Sequence, residues 1–220
     1  MKPINDRLVN EILSDPNAKD NIILRVERDE TTEPTLKCYI YHEMDDNSVA
    51  YLSVNEEILS GISATKDELL DLAYNNTFRF HSPISAAFMD SVRESFDTYD
   101  LYSNEFDYKL FKHDLFPGIA ITSGKRMNGA VCIFIPKVMK RIHDMLGDFY
   151  ISFTSRHECI IHPCAIIPDD LISGLIDAIQ FTNETATLEE DVLTYSLYKC
   201  TDITGELQIV KYASKEKENE

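Results

Sequence analysis

The chain has 220 residues, 44% apolar and 27% charged, which is enough to bury one large core or two small ones. Its formal net charge is −17 at pH 7, with 23 acids against 11 bases in residues 1–117 and 15 against 10 in residues 118–220. A field of that sign argues against direct nucleic-acid binding, which needs a basic surface.

No apolar run is long enough to span a bilayer, and no signal-peptide core follows Met1. A cytoplasmic protein without membrane contact is expected. Cys38, Cys132, Cys159, Cys164 and Cys200 are odd in number and form no CxxC, so buried thiols are expected.

Asn5 to Ser14 places Leu8, Ile12 and Leu13 on one helical face, and Asp15-Pro16-Asn17 stops it. Asn21–Val26 reads as a strand. Leu36–Tyr41 and Val49–Val54 read as a hairpin around the polar turn Met44–Ser48. Glu56–Leu59 is one turn of helix. Thr65 and Glu68 have capping-box spacing at the head of a helix that runs to about Asn76. Ser82-Pro83 predicts another helix, through Ile84, Phe88, Met89 and Val92.

Residues 96–117 are rich in aromatics and acids with no clean period, and are expected to connect two parts. The expected division is an acidic α+β part (1–95), this connector (96–117), a core α+β part (118–212) and a disordered tail (213–220). Within the core part, the runs around Ala120-Ile121 and Val131–Ile135 predict two strands joined by a turn over Ser123–Gly129, with Gly124 and Asn128-Gly129 supplying positive φ. Pro136 opens a helix over 137–146, and Gly147 ends it. Phe149, Ile151 and Phe153 alternate with polar residues as a strand does, and Cys159-Ile160-Ile161 follow as its neighbour. A helix over 168–181 and a closing pair, Leu193–Tyr198 and Leu207–Tyr212, complete the chain. The fold class is α+β: a mainly antiparallel sheet with helices on one face, in ββαββαββ order over the C-terminal half.

Leu52–Leu59 and Ala64–Thr77, Gly129-Ala130 followed by Pro136–Met139, Leu146–Ile151, Ser155–Glu158 and Asp191–Tyr198 together resemble a family of bacterial proteins of unknown function that is frequent in gut Firmicutes. The likeness covers roughly residues 50–77 and 118–210. The chain departs from it in lacking most of a longer helical region that members carry ahead of this part. It also reads Phe153-Thr154-Ser155 where members read Pro-Ser-Ser. The resemblance implies a bacterial or phage setting and no activity.

Ser155, His157 and Glu158 are the parts of a nucleophilic triad. Adjacent residues of a strand point to opposite faces, however, and no Gly-x-Ser-x-Gly elbow is present, so a polar hairpin turn is the favoured reading. His157, Cys159, His162 and Cys164 are zinc-type ligands, but Cys159 and His162 stand an odd number of residues apart. Lys125-Arg126 lacks a Walker pattern. No cofactor is implied. Asp97, Asp100, Glu105 and Asp107 are candidate binding residues within the acidic segment. The expected function is non-enzymatic: a binding or regulatory protein whose acidic surface engages a basic protein partner, such as a nucleic-acid-handling enzyme that it inhibits or decoys. The alternative is a hydrolase or metal-dependent enzyme using the Ser155/His157/Glu158/Cys159 region. The sequence leaves the oligomeric state open.

Overall fold

A computed structural model describes residues 6–31, 33–44, 48–62, 64–87, 99–101 and 118–214. These divide into two compact units: residues up to Glu27 with Thr35–Phe80, and Arg28–Pro34 with His81 onward.

The first unit begins with α1 (Asp6–Ser14) and a 3-10 turn (Ala18–Asn21). The strands β1 (Ile22–Arg28), β2 (Pro34–Glu43) and β3 (Val49–Ser53) form a sheet in the order β1-β2-β3. β2 and β3 are antiparallel, with Tyr41 opposite Tyr51. Helices α2 (Glu56–Gly61) and α3 (Lys66–Phe80) follow. Asn55 caps α2, its Oδ1 accepting from the Ile58 amide at 2.9 Å. The capping box ahead of α3 forms as expected: the Glu68 amide donates to Thr65 Oγ1, and Glu68 Oε2 accepts from the Thr65 amide and hydroxyl. α3 reaches four residues beyond the predicted end, because its last turn is anchored in the core. There, Thr77 Oγ1 accepts from the Leu24 amide at 2.7 Å. Arg25 is buried, its guanidinium 4.1 Å from the centre of the Tyr51 ring and 5.0 Å from that of Tyr39 and paired with Glu27 at 3.4 Å, which offsets the cost of burying its charge.

The second unit contains β4 (Pro83–Ala87), β5 (Tyr99–Asp100) and β6 (Ile119–Ser123), then a 3-10 segment (Gly129–Phe134) and α4 (Pro136–Leu146). After these come β7 (Phe149–Ser155), β8 (Glu158–Pro163), a 3-10 turn (Asp169–Leu171) and α5 (Ile172–Thr185). A further 3-10 turn (Glu189–Asp191), β9 (Ser196–Ile203) and β10 (Glu206–Ser214) close the unit. One seven-stranded sheet has the order β10-β9-β7-β8-β6-β4-β5. All six pairings along it are antiparallel, as the α+β reading requires. The β9–β10 turn has Thr204 and Gly205 at positive φ (58° and 90°), matching the twist of a tight hairpin.

Two expectations about the second unit need correction. Pro83 opens a strand, not a helix; proline is tolerated at a strand's first residue, and Pro83–Ala87 pairs with Ile119–Ser123, while Phe88, Met89 and Val92 of the expected helix lie outside the described residues. Val131–Ile135 is not a strand, so the ββαββαββ order loses its second strand. A continuous apolar run has no period to distinguish strand from buried helix. Here Gly129 to Ile133 are all buried in the 3-10 segment, and Ile135, held extended ahead of Pro136, ends it. This 3-10 segment and α5 lie on opposite faces of the sheet. By register, Phe149, Ile151 and Tyr198 lie on one face of the sheet and Tyr150, Ser152 and Leu197 on the other. Phe134 stacks on Phe153, whose ring also meets Tyr198 edge-on, so the 3-10 segment lies on the first face. Ile176 and Ile179 of α5 pack with Tyr150 and Leu197 on the second.

Candidate functional site

β7 and β8 join through Arg156-His157, with Ser155 opposite Glu158. Neither turn residue has positive φ, and the register slips by one between Ser152 and Ser155, so a bulge absorbs the twist. The turn is pinned from two sides. On one, the 3-10 turn Glu189–Asp191 receives it. The Arg156 amide donates to the Asp191 carbonyl (2.9 Å), Arg156 Nε pairs with Asp191 Oδ1 (2.9 Å), and the guanidinium also reaches the Glu190 carbonyl. On the other, the Ala130 amide donates to the Arg156 carbonyl, and Thr122 Oγ1 donates to the His157 carbonyl at 2.7 Å.

The sequence candidates separate within this frame. His157 Nδ1 accepts from the Asn128 amide at 3.2 Å, which puts its proton on Nε2, 3.3 Å from Asp191 Oδ2. Ser155 Oγ instead accepts from the His157 amide at 3.0 Å. The imidazole and the serine therefore serve different partners, and Glu158 takes no part in either contact. Thr154 Oγ1 donates to Glu158 at 3.4 Å. Burial pushes the Glu158 carboxyl above its usual range, opposed by that bond and by the charge of Arg126. Asp191, the residue that binds the whole turn, carried no local signal beyond the acidic Leu188–Asp191 run.

Gly129 closes the frame. A Cβ there would stand 2.4 Å from the His157 carbonyl oxygen and from Thr122 Oγ1, and 2.5 Å from the Ser123 amide. Its glycine is needed for close approach, not for a turn; positive φ in this loop falls on Arg126 and Asn128 instead.

The thiol and imidazole candidates lie on different surfaces of the sheet. Cys159 is fully buried, and desolvation raises its thiol well above the ordinary range; Cys132 is pushed up to about 12 the same way. His162 lies on the other face of β8, its Nε2 3.2 Å from Ser152 Oγ, a Ser–His pair that strand register creates and sequence spacing does not reveal. Cys164 is half-buried beyond Pro163. Among the described residues no three His, Cys, Asp or Glu side chains group as metal ligands do. Asp97, Glu105 and Asp107 lie outside the described residues, and Asp100 ends β5.

No curated protein and no solved structure matches this chain. A family model does, over residues 5–200, a span that includes the N-terminal stretch and the 78–117 region beyond the sequence likeness. The chain belongs to DUF5688, a family of unknown function.

Proposed function

We propose that this is a non-enzymatic binding or regulatory protein of bacterial or phage origin whose acidic surface engages a basic surface on a partner protein. A nucleic-acid-handling enzyme with a basic groove fits that description, with this chain as its inhibitor or decoy. The observation that carries the reading is the net charge of −17. Glu56, Glu57, Glu68 and Asp71 in the first unit are exposed. Asp29 differs: its Oδ1 accepts from the Thr31 and Glu33 amides and organises its own loop. An exposed acidic field raises encounter rates and discriminates among partners more than it adds affinity. The engagement of Ser155 Oγ and both nitrogens of His157 in structural contacts supports the non-enzymatic part.

Affinity capture from a bacterial lysate at low and high salt, followed by reconstitution with the purified partner, tests the reading. The expected result is a basic protein released as salt screens the field. A partner bound with no salt dependence, or no partner at all, contradicts it. A hydrolase screen that finds turnover lost in both Ser155→Ala and His157→Ala, with the fold intact by circular dichroism, overturns the non-enzymatic part.

A further inference from the structure

Helix α5 has two apolar sides. Ile176, Ile179 and Asn183 are buried toward the sheet. The outer side departs from the charged face that a surface helix ordinarily presents. Leu171, just ahead of α5, is 52% exposed and Phe181 is 68% exposed. Gly174 and Ala178 between them are also exposed. Positions 171, 174, 178 and 181 recur at spacings of three, four and three, which are the a and d positions of a heptad. Leu171 and Phe181 stand about 15 Å apart along the axis at 1.5 Å per residue. The small residues between them leave a notch, with open space where a Gly174 Cβ would stand. A second row runs beside this stripe: Asp170, Asp177 and Glu184, each seven residues from the next and all exposed, at the flanking g positions. From His157 to Tyr198 the chain has eight acids and no Lys or Arg. The bases at either end of that stretch are engaged, Arg156 by Asp191 and Lys199 by Asp148.

We propose that the outer face of α5 docks an amphipathic helix of a partner protein, one with an apolar a/d seam flanked by lysines or arginines. The inference rests on the binding reading above and locates it on one helix. Charge selects the occupant. A second copy packed antiparallel would set Asp170 against Glu184 and Asp177 against its own counterpart, on a chain already at −17. Anionic lipid headgroups and nucleic acid have the wrong sign. Basic flanks on a partner helix meet the acid row, while its apolar seam covers Leu171 and Phe181.

Fluorescence anisotropy with two synthetic peptides of equal composition and charge tests this. One carries Leu at a and d with Lys at e and g; the other is scrambled so that no apolar seam forms. The expected result is tight, salt-sensitive binding of the seam peptide alone, weakened roughly tenfold or more by Leu171→Ser with Phe181→Ser, the size of an interface hot spot. These exposed substitutions leave net charge unchanged, and circular dichroism confirms the fold. Equal binding of both peptides, unaffected by the double variant, overturns the α5 site while leaving the acidic-surface reading intact. Binding of neither peptide also overturns the α5 site, and the lysate capture decides the acidic-surface reading separately. A wild-type dimer in analytical ultracentrifugation that the double variant dissociates assigns the face to a second copy and overturns the proposal.

Discussion

At the scale of single residues, three positions carry the turn at Ser155–Glu158. Gly129→Ala introduces a methyl group at 2.4 Å from a backbone carbonyl. Backbone cannot rotate aside as a side chain does, so a loss of about 3 kcal/mol or more is expected in urea unfolding, at or beyond the upper range for overpacking. Asp191→Asn keeps the shape but removes the charge between Arg156 and His157, and a loss of about 1–3 kcal/mol is expected by the same measurement. Glu158 tests burial. Its folded carboxyl holds a proton at higher pH than the unfolded one. The folded state therefore binds more protons between the ordinary carboxylate value and the raised one, and stability falls as pH rises through that window. Glu158→Gln cannot ionise, so its stability relative to wild type should climb between pH 4 and pH 7; a flat difference contradicts the burial account. The cysteines give an independent check on packing. Cys38 and Cys164 are half-buried while Cys132, Cys159 and Cys200 are buried, so a thiol reagent should label two sites in the native protein and the rest only on unfolding.

Elements are tied together by a few polar residues, and Asp148 is the clearest of them. It lies in the tight connection between α4 and β7 and takes hydrogen bonds from Thr201 at 2.7 Å, Lys199 at 3.1 Å and His143 at 3.2 Å. Burial alone would raise its carboxyl, but those three partners outweigh it and hold the group below its ordinary value. Its contribution is complete above the ordinary carboxylate pKa and is lost as pH falls through the depressed folded value. The stability deficit of Asp148→Asn should therefore be full at pH 7 and shrink as the protein is acidified; a constant deficit would mean that only shape mattered. Elements with a strong local signal were legible in the sequence. The Thr65–Glu68 box and the Phe149–Phe153 alternation mark α3 and β7, and Pro136 and Gly147 bracket α4. Elements whose state is set from outside were not. Pro83–Ala87 becomes a strand because β6 pairs with it, and Gly129–Phe134 coils because Gly129 must pass against Thr122 and the His157 carbonyl. The same division applies to the site: Ser155, His157 and Glu158 could be singled out by type, but the partners Asn128 and Asp191 arrive from distant segments.

Over the whole molecule, the excess of acid works against compactness as well as toward a partner. Self-repulsion between exposed like charges is screened as the Debye length falls from about 30 Å at 0.01 M salt to about 3 Å at 1 M. The melting temperature should rise with added sodium chloride, and a fall would mean that ion pairs such as Lys211–Glu33 dominate. That ion pair also marks where the seven-stranded sheet stops. Among the described residues the sheet order ends at β10, nine residues long and largely exposed, with no described strand beside its outer row of backbone amides and carbonyls. Such a margin is a template for self-propagating aggregation unless something spoils it. Here the register slips between Lys211 and Ala213, and Lys211 places a charged head on the same stretch. Acidification toward the isoelectric point near 4.7 removes the long-range repulsion between molecules and leaves those two local devices alone to keep one sheet from growing onto the next.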